Sequence, residues 1–462
     1  MSVLVFEGFL STPEMVELFG ETAIVQAMMD FEAALARGQA RAGLMPAAAA
    51  QAIASLCRAE LYDVAALVAA SGRAGSLALP VVRKLAETVA LFDPVAAGYV
   101  HWGGSSQDLI DTAMVLQTRR ALRLIEDDLL TLCGQLMALA ERYEATPVLN
   151  HGLTPRPQLS SLRVRLLNWL QPLLRSLHGL REAAGEALQL QLAGELASLS
   201  VLGDQAQAVA HAVADELQLP LPNMPWQTQR DRWLRLGSEL ALLCGNLGRV
   251  ARELSQMAQA ERGEALEAVE KPRGELLPSS GPGRPVACLQ ALAAAQRAPQ
   301  RMAALLAGMA QDEDCGLGNW QAATAEWAGL LLSTHGALRA LTRACAGLQL
   351  HPARMLQNID RQQEQGFAEQ LALVLTPLLG KSATQQRLQA MAELGQRRGL
   401  GLRSIAREVL GQDAELRGRL PEQRLEALFD PHAAAALADA TVSLALQDAR
   451  MQCELLLAAR SG

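Results

Sequence analysis

Apolar side chains along this chain recur at three- and four-residue intervals, the period of an amphipathic helix, and no stretch alternates with period two for long enough to predict a sheet. "STPEMVELFG" starts a short helix, with Ser11 or Thr12 as cap, Pro13 in the first turn and Glu14 near the positive helix end. The run from Glu21 to Ala42 follows, with Ile24, Met28, Phe31 and Leu35 on one face, and Gly43 and Pro46 stop it. A second helical region covers about 47–70, and "SGRAGSLALP" (71–80) is a glycine-rich break. From Leu109 to Glu144 there is no proline and only Gly134 interrupts the pattern. Further runs cover 159–192, roughly 228–269, 286–312 and 320–347. The run over 228–269 would span ~60 Å at about 1.5 Å per residue if unbroken. Past "HPARM" (351–355), shorter helices are broken by "LLGKS", "RRGLGLR" and "LFDPH".

Periodic stretches of this length predict an all-α protein built on a long central helical bundle. The punctuation divides it into an N-terminal helical domain (1–108), a central long-helix domain (109–348) and a smaller C-terminal helical domain (349–462). Stretches such as "LGSELALLCGNLGRVARELSQMAQA" are apolar around much of the helix circumference, which calls for neighbours on most sides. Five such helices in one chain do not supply them all, so a homo-oligomer is expected.

Composition narrows the function. Half the residues are apolar, 19% are charged, and the net charge of −7 comes with no basic block. Nucleic-acid binding is therefore not expected, whereas local arginines leave room for a small anionic ligand. The seven cysteines are scattered and form no C-x-x-C pair, so neither a disulfide framework nor a zinc site is signalled. "MSVLVFEGFL" lacks the basic start and apolar core of a signal peptide, and no membrane span is expected, so the reading is a cytoplasmic protein.

Four stretches carry candidate chemistry. "HWGGSSQDLIDT" (101–112) places His101, Ser105, Ser106, Gln107 and Asp108 immediately before a long helix, whose start is either a plain cap or an anion site. "MPWQTQRDRW" (224–233) clusters Gln229, Arg230 and Arg232 at the start of another helix, where arginine can hold a carboxylate with both nitrogens. "TPVLNHGLTPRPQLSS" (146–161) is a polar break with His151 and Arg156. "LPSSGPGRPVACL" (277–289) is a loop of small and rigid residues with Ser279, Ser280 and a single charge, Arg284.

The order of these stretches along a helical chain resembles the fumarase/aspartase superfamily and, within it, the bacterial 3-carboxy-cis,cis-muconate cycloisomerases. "MMDFEAALARGQARAGLMP", "HWGGSSQDLIDTAMVLQTRRAL", "PWQTQRDR" and "ALAAAQRAP" carry the resemblance. It implies helical homotetramers with a 20-helix core, active sites shared by three subunits, no cofactor and a small di- or tricarboxylate substrate. The implied reaction is lactone formation by addition of a carboxylate across a carbon–carbon double bond. With spacing to the flanking helices kept, the family's catalytic serines fall on Leu276 and Leu277, and a local shift brings Ser279 and Ser280 into their place. His101, Ser105, Ser106, Gln107, Asp108, Gln229 and Arg230 stand for substrate-binding groups, and Arg156 and Arg284 stand in for lost cations. The family's serine-loop pattern resembles G-S-S-x-M-P-x-K-x-N-P, and "ELLPSSGPGRPVA" has lost its lysine, asparagine and methionine. "LTPRPQL" and "AGELAS" depart from the family as well. Three readings remain open: an active cycloisomerase, a catalytically inactive relative that partners an active paralogue, and a lyase redirected to another carboxylate.

Overall fold

The computed structural model describes residues 5–151, 157–195, 198–270, 276–278, 285–311, 318–362 and 364–461. Helix dominates throughout, and the only strands among the described residues form three two-stranded pairs. The expected all-α class is what the structure has. The described residues gather into two compact units, each assembled from separate stretches of chain. Unit 1 comprises Met1–Leu129, Arg175–Gly248 and Gln290–Ala340, and unit 2 comprises Leu130–Leu174, Arg249–Leu289 and Leu341–Gly462.

The main helices are α1 (Glu21–Arg41), α2 (Ser106–Arg142), α3 (Leu162–Ala187), α4 (Ala206–Leu217), α5 (Asp231–Met257), α6 (Val286–Ala307) and α7 (Asn319–Ala346). Their starts follow the expected chemistry. Thr12 caps the short helix Pro13–Leu18 through a bond from the Met15 N–H, and Asp63 accepts from Ala66 N–H at the head of Val64–Ala74. The region read as one helix over 47–70 is broken there, because Cys57 leaves helical geometry and a short 3₁₀ turn, Ala59–Leu61, intervenes.

One long run is shorter than its pattern. The helix expected over 228–269 ends at Met257. Gly263, at φ +60°, lets the chain reverse, and the Glu264 N–H returns to the Met257 carbonyl at 2.8 Å. The apolar residues beyond it serve a strand, Ala265–Leu266, which pairs antiparallel with Gln349–Leu350.

Within unit 1, α1 packs closely on α4: a Cβ at Gly38 would meet Val213 Cγ2 at 2.9 Å. Phe31, Met28 and Met29 of α1 are fully buried. Trp226, Trp233 and Trp327 form a stacked run, with ring centroids 5.6 and 4.1 Å apart, and Trp327 Nε1 donates to Thr118 Oγ1 at 2.8 Å. Gly237 lies against Trp327, where a Cβ would meet the ring at 3.0 Å. Within unit 2, β1 (Pro147–Asn150) pairs antiparallel with β2 (Gln158–Ser161), Pro147 opposite Ser161. Leu149 of β1 joins a core that includes Phe367, Leu371, Leu375, Ile405 and Phe429. No helix is long and apolar enough to cross a membrane among the described residues.

Candidate functional site

The stretch 101–112 folds as a tight loop running into α2. His101 has φ +60° and Gly103 has φ +76°, so the chain turns twice through the left-handed region. Gln39 of α1 holds this turn by donating its side-chain amide to the Trp102 carbonyl at 2.5 Å. Ser105 then caps α2 reciprocally with Asp108: the Asp108 N–H donates to Ser105 Oγ at 3.1 Å, and the Ser105 N–H donates to Asp108 Oδ2 at 3.0 Å.

Asp108 is fully buried and receives three further donors. Gln191 Nε2 and the Ala193 N–H bond its Oδ1 at 3.0 and 2.9 Å, and the Gly194 N–H bonds Oδ2 at 2.8 Å. Burial raises its pKa, and the Gln191 amide and the three backbone donors pull against that. The carboxylate is thus a clamp between the loop and the 191–194 turn. Gly194, at φ +69°, lies so close that a Cβ would meet the Gly103 carbonyl oxygen at 2.9 Å.

His101 faces the other way. Its Nδ1 is 2.5 Å from Oε1 of Glu32, a residue of α1 that is 1% exposed. Burial lowers the His101 pKa, but the charge and hydrogen bond of Glu32 outweigh it, with help from Asp108 and Glu195, and the net shift is upward. The ring is part-exposed at 16%, so an imidazole biased toward its charged form stands in the turn that leads into the α2 N-terminus and its Ser105 and Ser106 hydroxyls.

The second stretch docks on the first. Gln107 Nε2 donates to the Gln227 carbonyl at 3.0 Å, and the same carbonyl accepts from Arg230 Nε at 2.8 Å. Arg230 also grips Asp111 with two bonds, at 3.1 and 2.6 Å, and lies 4.9 Å over the Trp226 ring. Its guanidinium is therefore engaged within the protein. A small cavity of about 30 Å³ adjoins this pair. Gln191 is the hub of the network: its Oε1 accepts from the Trp226 N–H at 2.9 Å while its amide bonds Asp108. Gln229 turns outward, bonds the Pro225 carbonyl at 3.2 Å and lines a separate polar groove of about 380 Å³ with Arg232.

Of the sequence-derived site residues, His101, Ser105, Ser106, Gln107, Asp108 and Arg230 thus come together in unit 1, while Gln229 faces the neighbouring groove. Ser279, Ser280, Arg284 and Arg156 lie outside the described residues. His151 lies in unit 2 beside Arg165 and Arg262, and burial together with these arginines lowers its pKa. Glu32, Asp111 and Gln191 were missed. Glu32 and Asp111 left a faint signal as acids inside otherwise apolar helical runs, where a carboxylate needs a partner; Gln191, in "LQLQLAG", left none. No group of three or more histidine, cysteine or acidic residues poised to hold a metal occurs among the described residues. All six described cysteines are buried and unpaired, and burial raises their thiol pKa values, as at Cys244, which is pushed up to about 11.

The geometry is that of a helical chain whose buried carboxylate clamps a Gly-Ser loop onto the head of a long helix, and sequence comparison places such a chain among lyases. A family model described as "Lyase" matches residues 9–274. The chain is 37% identical over 429 residues to a 3-carboxy-cis,cis-muconate cycloisomerase of Bradyrhizobium diazoefficiens, covering 92% of this chain and 93% of that one. It is 37% identical to the enzyme of the same name from Pseudomonas aeruginosa, covering 92% of each. Among solved structures, the 3-carboxy-cis,cis-muconate lactonizing enzyme from Pseudomonas putida superposes with a TM-score of 0.88 at 34% identity, covering 97% of this chain and 99% of that one. The chain belongs to this lyase family, within the fumarase/aspartase superfamily of enzymes.

Proposed function

We propose that the protein is a 3-carboxy-cis,cis-muconate cycloisomerase working as a homotetramer in the cytoplasm. The observation that carries the reading is the 101–112 site: its loop, cap and clamp hold His101, paired with Glu32, and two hydroxyls at a helix start, in a chain alike over 92% of its length to an enzyme of that name. In the reaction, a substrate carboxylate oxygen forms a C–O bond to one alkene carbon. The π pair moves to the neighbouring carbon and into its own carboxylate, and that carbon takes a proton. Charge develops where a cation and N–H or O–H donors stabilise it most. His101, Ser105 and Ser106 supply such groups, and Ser279 or Ser280 delivers the proton.

The serine loop favours a second reading. It has lost the lysine and asparagine of the family pattern, which fits a chain that lends its 101–112 region to an active paralogue.

Ultraviolet-monitored turnover of 3-carboxy-cis,cis-muconate by the purified protein separates the two. Loss of the diene absorbance, abolished in the double variant Ser279→Ala/Ser280→Ala and lowered about 10²-fold or more in His101→Asn, is the expected result. A folded protein with no turnover would overturn the first reading and support the second.

A further inference from the structure

Unit 2 contains a cavity of about 250 Å³ that the reaction above does not use. It is walled by Asn150 and His151 at the end of β1, Arg165 and Asn168 from the first turns of α3, Arg249 and Glu253 of α5, and Arg262 from the turn that follows. Three guanidiniums face a single carboxylate, Glu253, around this cavity, and the excess positive charge calls for an anion.

The acids nearby are already committed. Glu253 accepts from Trp169 Nε1 at 2.8 Å and from Arg249 Nε at 3.2 Å, one bond to each oxygen. Glu264 accepts from Asn358 at 2.9 Å and stands 3.8 Å from Arg165 Nη1, beyond hydrogen-bond distance. Arg165 is only 9% exposed; its Nη2 holds the Leu149 carbonyl and Asn150 Oδ1 at 2.9 and 2.8 Å, and its Nη1 has no hydrogen-bond partner. The Arg262 side chain has no acidic partner among the described residues, although its carbonyl serves Arg354 and Asn358. The positive field is felt locally: Arg262 and Arg165 both push His151 toward its neutral form.

We propose that this cavity is a binding site for a small multivalent oxyanion, a phosphate or a di- or tricarboxylate. Arg262 and Arg249 would take its oxygens in fork geometry, with Asn168 and His151 completing the shell, while Arg165 fixes the wall from behind. The proposal does not rest on the cycloisomerase reading, and its failure would leave that reading untouched.

The test is isothermal titration of the full-length protein with inorganic phosphate and, separately, with tricarballylate. Two variants probe the cavity: Arg262→Gln removes a cation, and Asn168→Glu puts a carboxylate into the wall at an exposed position where folding is not at stake. His101→Asn disables the other site. The expected result is that at least one anion binds, that both cavity variants weaken it about tenfold or more, and that His101→Asn does not. Phosphate alone or tricarballylate alone binding in this pattern assigns the ligand class. Absence of binding by either anion, or binding that responds to His101→Asn and ignores both cavity variants, would overturn the proposal.

Discussion

At the scale of single residues, the site is decided by where two carboxylates are spent. Asp108 is consumed in holding the loop, and Glu32 in holding His101, so neither is free to meet substrate. The Glu32–His101 pair makes stability depend on pH in a definite direction. Its folded pKa is raised above the usual value of about 6.5, so the stabilisation is complete below that pH and is lost as pH rises through the folded pKa. Thermal unfolding from pH 6 to 9 should therefore show the wild type losing more stability with rising pH than His101→Asn, a change that suits the left-handed backbone there. Parallel curves for the two proteins would mean that the histidine is neutral in the fold. None of these pairings was legible in the sequence. Glu32 and His101 are 69 residues apart, Gln191 and Asp108 83 apart, and periodicity says which face a residue occupies but not what it meets across the core.

At the scale of elements, the sequence was most legible where local chemistry acts alone. Thr12 and Pro13 at the short helix Pro13–Leu18, the Ser105 cap of α2 and the Gly43 stop after α1 act where the sequence placed them, because these signals need no distant partner. They failed at the end of α5, where Gly263 breaks a run whose helical pattern continues past it. Glycines also separate by context. Gly194→Ala places a Cβ in a left-handed residue and against the Gly103 carbonyl, and should cost about 1–2 kcal/mol or more in thermal unfolding. Gly134→Ala, in mid-helix with nothing within 4 Å, should instead add about 0.5–1 kcal/mol. Equal effects in the two variants would show that the 191–194 turn is not held as tightly as its hydrogen bonds imply.

At the scale of the whole molecule, the sequence predicted the helical class and family but not the division into two discontinuous units, since a cluster of contacts between separate stretches leaves no mark on local composition. Large apolar side chains, Leu91, Phe92 and Val95 among them, stand exposed on the single chain. Apolar surface of this kind calls for cover, and the superfamily resemblance implies three further copies. Light scattering should therefore give a mass four times the 49.4 kDa of one chain. A monomer at micromolar concentration would contradict a site shared between subunits.

The Asp108 clamp has a consequence for how such a protein can change. Among the described residues its partners lie at 105 and 191–194. The proposed seat for the substrate thus draws its shape from bonds within 105–194, while the proposed proton carrier is written in a separate stretch of sequence, 277–289. Mutations can accumulate in the latter, or a different reagent can be written into it, without the former losing its shape. On this reading the molecule is a socket with an exchangeable tool.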